Sequence, residues 1–315
     1  MTKNQFPFIR EAPEVSAEFS GEAESELRYQ DLCQDGRLRL AGIWPPMGQI
    51  LWTRMQLAKS LDRLAREGIR NVLSYIALAS EDVPLTIFAP AHSTVKVEVG
   101  HTRDERGEPN RVVFNTWLET DALRARRNHP ASRPSDQRVS AARAFGQHVF
   151  TRPAAPRGQH RVTRLDAPEF AAASQREVTF VDPTSLLALP AGAEPIDPAP
   201  VVDVAPAVFG LVHTDGNQHV NFLIYPRLVE DALLRRLPEL GIDARRLGRS
   251  AEIGYKRPCF AGDRMKLLMQ VFRLEQAVGV VAALVSAEDA DQAAAAGDFA
   301  AIKRLHCAVR LVTTV

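Results

Sequence analysis

The sequence predicts an α+β protein built from one pattern used twice: a strand, a long helix, then a run of strands. Two amphipathic helical stretches carry the prediction, one from Met47 to a glycine at 68 and one from about 222 to a glycine at 241. Each is followed by strand-length runs rich in β-branched and aromatic residues. At 315 residues the chain exceeds one small core and suits two modest domains. Such repetition suggests a duplicated unit in which an antiparallel sheet wraps a central helix.

Residues 1–25 read as an N-terminal arm, flexible or loosely docked. The first domain, 26–165, opens with ELRYQDLCQDGRLRLAGIW, a strand-like start with a turn at Asp35-Gly36. Pro45 and Pro46 suit the first turn of a helix, where a missing N–H leaves nothing unpaired. Ile50, Leu51, Leu57, Ala58, Leu61, Leu64 and Ala65 then trace one face of a single helix over 47–67, with Gly68 as its stop. NVLSYIALAS, LTIFAPAHSTVKVEVGHT and RVVFNTWLET read as strands. LRARRNHPASRPSDQR reads as a basic, polar insertion, and a last strand is expected within AFGQHVFTR or HRVTRL.

Residues 166–200 form a proline-rich linker, the run ALPAGAEPIDPAPVVDVAPA lying across its end. In the second domain, 201–315, a strand-like APAVFGLVHT precedes a helix over 222–240. Tyr225, Leu228, Val229, Ala232, Leu233, Leu237 and Leu240 share one face of that helix, and Gly241 stops it. RSAEIGYKR, RMKLLMQVFRLE, VGVVAALVSA and IKRLHCAVRLVTTV continue as strands, with AEDADQAAAAGDFAA as a helical or loop excursion.

A hydrophobic fraction of 45% and a charged fraction of 24% are ordinary for a soluble globular protein. The net charge of +1, from 39 basic and 38 acidic side chains, gives no global field for nucleic acid or an anionic membrane. No apolar run approaches the roughly 20 residues that span a bilayer. The acidic N-terminus lacks the apolar core of a signal peptide. Cys33, Cys259 and Cys307 lie far apart and fit reduced thiols in a cytosol. A cytoplasmic location is expected.

The chemistry concentrates in HTDGNQHVN, residues 213–221, between the strand-like run and the second helix. Asp215, Asn217, His219 and Asn221 occupy alternate positions, so an extended segment sends them to one side, facing one cavity. The helix that follows adds unpaired N-terminal amides and a partial positive pole. These are the parts for splitting an acyl compound. A carboxylate activates water or attacks directly, and amides hold the developing oxyanion. Blander readings are a capping and turn cluster, or Asp215 as a structural acceptor only. His213 and His219 lack a third ligand at metal-site spacing, so no metal is expected. No GxSxG elbow, P-loop or dinucleotide fingerprint is present, and no cofactor is expected. Cys259 reads as a buried strand residue rather than a nucleophile. The cluster Arg124, Arg126, Arg127, His129 and Arg133 reads as a solvated loop, or alternatively as a grip on a CoA or carrier phosphate.

Asp215-Gly-Asn217-Gln218-His219-Val220-Asn221, followed by Tyr225, resembles the active-site motif of plant acyl-ACP thioesterases. It is also similar to the looser Asp…His-Val-Asn-Asn…Tyr pattern of hydroxybenzoyl-CoA-type thioesterases. Tyr255-Lys256-Arg257-Pro258-Cys259 resembles the Tyr-Arg-Arg-Glu-Cys strand of the plant enzymes, and Gly262-Asp263 the turn beyond it. Arg28-Tyr29 with Asp35-Gly36 fits the opening of their first domain. The resemblance covers much of 26–119 as pattern and 213–263 as motif. It departs at Pro258, where the plant enzymes carry a catalytic glutamate, and at Phe222, which replaces a second consecutive Asn.

The resemblance implies a tandem, or double, hot-dog fold, each half an antiparallel sheet wrapped around a long helix, with the site in the second half. It implies hydrolysis of an acyl-CoA or acyl-carrier-protein thioester, the phosphopantetheine arm carrying the acyl group. Asp215 would serve as general base or nucleophile, Asn217 and His219 would orient water and carbonyl, and Asn221, Tyr225 and His213 would bind substrate. Two alternatives stay open: an acyltransferase or tailoring enzyme of carrier-bound intermediates, and a non-catalytic acyl-binding module. A homodimer is also left open.

Overall fold

The computed structural model describes residues 6–7, 9–156, 158–165, 170 and 176–314. The chain divides into two compact units, Ile9–Val181 and a C-terminal unit of Asp182–Val315 together with Met1–Phe8. Both are α+β, with antiparallel strands and few helices.

In the N-terminal unit β1 (Ser20–Glu26), β2 (Arg70–Ser80), β3 (Pro90–Arg103), β4 (Pro109–Ala125) and β5 (Pro134–Thr151) form a sheet in the order β1-β3-β4-β5-β2. Three helices, α1 (Leu40–Ile43), α2 (Pro45–Arg54) and α3 (Leu57–Arg66), pack on it. Met47, Ile50, Leu51, Leu57, Leu61 and Leu64 are buried, as the apolar spacing predicts. The single helix expected over 47–67 is instead broken at Met55, whose backbone is extended at φ −96° and ψ 136°. That break turns the Met55 side chain inward against Gly21 of β1. The apolar spacing runs through the break, so periodicity does not reveal it. Between α1 and α2 the Trp44 indole comes so close to Gly146 of β5 that a Cβ there would overlap it.

Other expectations for this unit change in detail. Residues 20–25, read as part of an arm, pair with β3 from Ser20↔Lys96 to Ser25↔Ala91. The stretch read as a basic insertion is the end of a long β4–β5 hairpin, closed by Arg126 N–H donating to the Arg133 carbonyl at 3.1 Å. Its residues are polar because the hairpin runs out beyond the core. AFGQHVFT lies in β5, while HRVTRL contributes an isolated bridge, Thr151↔Arg161.

In the C-terminal unit β9 (Leu247–Tyr255), β10 (Arg264–Leu274), β11 (Ala277–Val285) and β12 (Cys307–Thr314) run in the order β9-β12-β11-β10. Short β6 (Glu194–Pro195), β7 (Val201–Val202) and β8 (Ala207–Val208) pair in turn with β10. Residues 194–200, read as linker, are thus partly sheet edge, and ion pairs hold them. Arg236 bonds the fully buried Asp197 at 2.7 Å, and Arg235 bonds Asp203 at 2.5 Å. Helix α4 (Ile224–Glu239) contacts all of β9, β10, β11 and β12, and α5 (Ala287–Ala296) is the expected excursion.

Tyr225, Val229, Ala232, Leu233 and Leu237 of α4 are buried, Leu228 is half-buried, and Arg227, Asp231, Arg235 and Glu239 are exposed. Pro226 stands in the first turn, where its missing N–H has no intrahelical acceptor to lose. Gly241, at φ +69°, ends the helix, and the Ile242 N–H reaches back to the Leu237 carbonyl at 2.9 Å. The same left-handed stop occurs at Gly68 after α3.

Leu233 is fully buried between α4 and the sheet, so Leu233→Ala should cost about 2 to 5 kcal/mol by cavity formation. Urea unfolding of the purified variant measures this, and a cost near zero would mean the helix buries another face. A second prediction concerns pH. His148 of β5 packs against the rings of Phe114 and Trp44, and burial pushes its imidazole down to about 4. The unfolded chain then binds a proton that the folded one refuses. Stability should therefore be intact above pH ~6.5 and fall by up to about 3 kcal/mol as pH drops to about 4. His148→Phe should remove this component from the pH dependence of the urea midpoint.

Candidate active site

The candidate residues fold into a tight loop rather than an extended strand. Thr214 bridges Val220, and between them Asp215-Gly216-Asn217-Gln218 forms a turn. Gln218 N–H donates to the Asp215 carbonyl at 2.9 Å, and Asp215 N–H to the His219 carbonyl at 3.2 Å. Gln218 takes a left-handed backbone at φ +65°. The alternation of Asp215, Asn217, His219 and Asn221 is therefore not a strand face, because a two-residue period cannot survive a closed turn.

The Asp215 carboxylate is the hub of the loop. Its Oδ1 accepts the Asn217 N–H at 2.9 Å, and its Oδ2 accepts from Asn221 Nδ2 at 3.1 Å. Asn221 ties that hub to the helix. Its Oδ1 accepts the Leu223 N–H at 3.0 Å and its carbonyl accepts the Ile224 N–H at 3.0 Å. Its own N–H donates to the His213 carbonyl at 2.8 Å. These partners fix the amide orientation: the oxygen meets an N–H, so the nitrogen meets the carboxylate.

The expected anionic hole at the helix start has fewer donors than the sequence implies. Leu223 and Ile224 N–H groups are taken by Asn221, and Pro226 has none to give. His213 accepts the Gly210 N–H on Nδ1 at 2.9 Å, which places its proton on Nε2 as a donor. His219 is half-buried, with Nδ1 a long 3.4 Å from the Val220 carbonyl. Asn217 lies exposed on the turn, and its backbone N–H makes the bond to Asp215.

Tyr225 is buried at 4% exposure, between Phe209 and Tyr255 at ring separations of 6.2 and 5.7 Å. Its hydroxyl is hydrogen-bonded to Cys259, and burial raises its pKa, so it is a neutral brace under the loop. Cys259 is fully buried in the loop after β9, and burial pushes its thiol up to about 11. A neutral buried thiol is no nucleophile. Its carbonyl accepts the Val220 N–H at 2.8 Å, clamping the Asp215 loop to the Pro258–Cys259 segment. Tyr255 supports the other side, its hydroxyl donating to the Phe222 carbonyl at 3.1 Å.

The structure thus brings Asp215, Asn221, His213 and Tyr225 into one bonded and packed assembly, with His219 and Asn217 on the turn it holds. A residue that the local pattern does not mark also joins it: His306, just before β12, whose Nδ1 lies 3.4 Å from Cys259 Sγ. Nothing in RLHCAVRLV sets that histidine apart, because long-range pairing puts it there. Among the described residues no group of three or more His, Cys, Asp and Glu could hold a metal ion, and no helix is long and apolar enough to cross a membrane.

No protein-family profile and no curated protein sequence matches the chain. Solved structures do. A putative oleoyl thioesterase from Lactobacillus plantarum is 13% identical, with a TM-score of 0.59 over 94% of this chain and 96% of its own. An acyl-ACP thioesterase from Bacteroides thetaiotaomicron is 13% identical, with a TM-score of 0.54 over 95% and 100%. The 12:0-ACP thioesterase from Umbellularia californica is 12% identical, with a TM-score of 0.54 over 96% and 99%. At these identities the likeness is one of fold. The chain shares its α+β fold with these proteins over almost their whole length.

Proposed function

We propose that this protein is an acyl-thioester hydrolase of the double hot-dog type, acting on an acyl-CoA or an acyl-carrier protein. The observation that carries the reading is the Asp215 carboxylate, held by Asn221 at the start of a buried helix in a chain with a thioesterase fold. Asp215 acts on the thioester as general base or nucleophile, with Asn217 and His219 beside it. Asn221 and His213 meet the substrate; Tyr225, also expected to bind it, is buried and supports them from below instead. No cofactor is needed for this chemistry. Three buried cysteines with free thiols accord with a reducing, cytoplasmic setting.

One observation favours a second reading, transfer to an acceptor other than water. Pro258 has no acid or base to offer beside the loop, so the segment clamped to Val220 contributes only backbone. A non-catalytic acyl-binding module is the third outcome. All three separate when purified protein is mixed with a panel of acyl-CoA and acyl-carrier thioesters, with and without an acceptor nucleophile, and free thiol is followed.

Asp215→Asn removes the base and should lower turnover by about 10²- to 10⁴-fold. The variant also puts an amide opposite the Asn221 amide, so a modest fall in melting temperature, worth about 1 kcal/mol, should accompany it. His219→Ala should lower turnover too, with losses that do not add if the two act as a unit. Equal, nonzero rates for wild type and Asp215→Asn would remove Asp215 from the mechanism. No turnover by either across the panel would favour the binding module.

A further inference from the structure

Among the described residues ten large apolar side chains are exposed, and five of them, Val204, Val208, Leu211, Val212 and Phe260, come from two short stretches of the C-terminal unit. Single exposed apolar residues are ordinary, but half of them gathered beside one loop are not scatter. Leu211 and Val212 are the extreme cases, at 80% and 89% exposure. They head a single 3-10 turn, Leu211–His213, that is bonded at both ends. The His213 N–H donates to the Gly210 carbonyl at 3.0 Å, the Thr214 N–H to the Leu211 carbonyl at 3.1 Å, and the Gly210 N–H to His213 Nδ1 at 2.9 Å. The buried Phe209 ring anchors the turn from below, 6.0 Å from the His213 ring. A turn so held cannot fold its two apolar side chains back onto the core, and they forgo the stabilisation that burial would bring.

The base of the turn carries the rest of the patch. The Phe209 N–H donates to the Asp263 carbonyl at 3.1 Å, and the Gly262 N–H to the Phe209 carbonyl at 2.8 Å. Asp263 Oδ2 accepts the Phe260 N–H at 2.8 Å, closing a turn that leaves the Phe260 ring exposed. Cations stand beside these apolar groups. Arg264 of β10 is the register partner of Val208 in β8, so both exposed side chains leave on one face. Arg257 is exposed two residues before Cys259, whose carbonyl holds Val220. Lys256 is paired with Asp182 at 3.0 Å, but among the described residues neither arginine has a carboxylate at ion-pair distance. The net charge of +1 over the whole chain conceals this local excess.

We propose that this face is a docking surface for an anionic lipid bilayer. Leu211 and Val212 enter the acyl layer, Val208 and Phe260 lie at its boundary, and Arg257 and Arg264 meet the phosphate headgroups. Shape and charge both favour a bilayer. Side chains that stand almost wholly in water need a matching pocket in a protein partner, whereas fluid acyl chains close around any protruding apolar group. A second copy of this chain fits poorly, because a two-fold interface is self-complementary and would bring the same arginines together. The Asp215 loop is tied to the turn through the Asn221 N–H and the His213 carbonyl at 2.8 Å, so docking would set that loop at the lipid surface.

The test uses the full chain and sedimentation with vesicles of phosphatidylcholine alone or mixed with phosphatidylglycerol. Wild type should bind the mixed vesicles, less as salt rises, and the neutral ones far more weakly. Arg257→Gln with Arg264→Gln should weaken binding about 10- to 30-fold. Leu211→Ser with Val212→Ser should weaken it about 10-fold or more, and both pairs should keep the wild-type melting temperature. Trp52→Ser, at an exposed apolar position on α2, should change nothing. A polarity-sensitive dye on Val212→Cys should shift to the blue on the mixed vesicles, the native thiols being buried. Such binding does not depend on turnover. A chain that binds the mixed vesicles and cleaves no thioester keeps the lipid surface, and one that cleaves thioesters without binding keeps only the hydrolase reading. Equal binding to neutral vesicles, indifference to the Leu211 and Val212 changes, or an equal loss in Trp52→Ser overturns the lipid surface. Sedimentation with neither vesicle overturns it too, and capture of the patch by an acidic carrier protein would then identify another occupant.

Discussion

The burial of α4 against all the strands of its sheet is the constraint on which the site depends. Val229, Ala232, Leu233 and Leu237 lock into the sheet side by side, so the helix cannot slide or roll without opening the core. Its first turn is therefore a fixed point, and Asn221 hangs the Asp215 loop from that point by two backbone bonds and two through its side chain. The arrangement resists distortion because each partner is itself held. The Asp215 carboxylate is bonded by the turn it closes, and Val220 is pinned to Cys259. Holding that carboxylate in place then costs little further conformational entropy, since ordering was completed on folding.

The same kind of packing governs the N-terminal unit. There too a helical segment with a buried face packs on an antiparallel sheet and ends at a left-handed glycine. But α2 begins at Pro45 and Pro46 behind Trp44, whose indole presses on Gly146. The space that a polar loop would need is filled by an aromatic ring. The two units answer one packing problem, and only the second leaves its helix N-terminus to polar side chains.

Much of this was legible in the sequence because burial writes a period. The apolar faces of α3 and α4, the glycine stops and the strand-rich runs after them follow from side-chain geometry within a few residues. What the sequence concealed is non-local. The break at Met55 preserves the apolar spacing, the β4–β5 hairpin outruns the core and so looks like an insertion, and the edge strands β6 to β8 are too short and proline-rich to carry a pattern. In the site, the residue types were readable but their geometry was not. Asp215, Asn217, His219 and Asn221 alternate in sequence for a reason unconnected with a strand: the first closes an Asx-type turn on the second, and the fourth returns to cap both carboxylate and helix. His306 lies 47 positions from Cys259 in sequence and meets it only through strand pairing.

The buried Tyr225–Cys259 pair explains how a polar loop can rest on an apolar core. A phenol and a thiol that satisfy one another need no water beneath the site, and both are kept neutral by the burial that raises their pKa values. Above that neutral floor the polar groups face solvent, and their division of labour follows from what each has left to offer. Asn221 takes up the Leu223 and Ile224 amides of the helix start, while His213 Nε2–H is a donor and Asp215 keeps further lone pairs as acceptors. The hydrogen bonds that build the loop thus decide what it has left to offer, keeping lone pairs on the carboxylate and taking up two amides that a bare helix terminus would have left open.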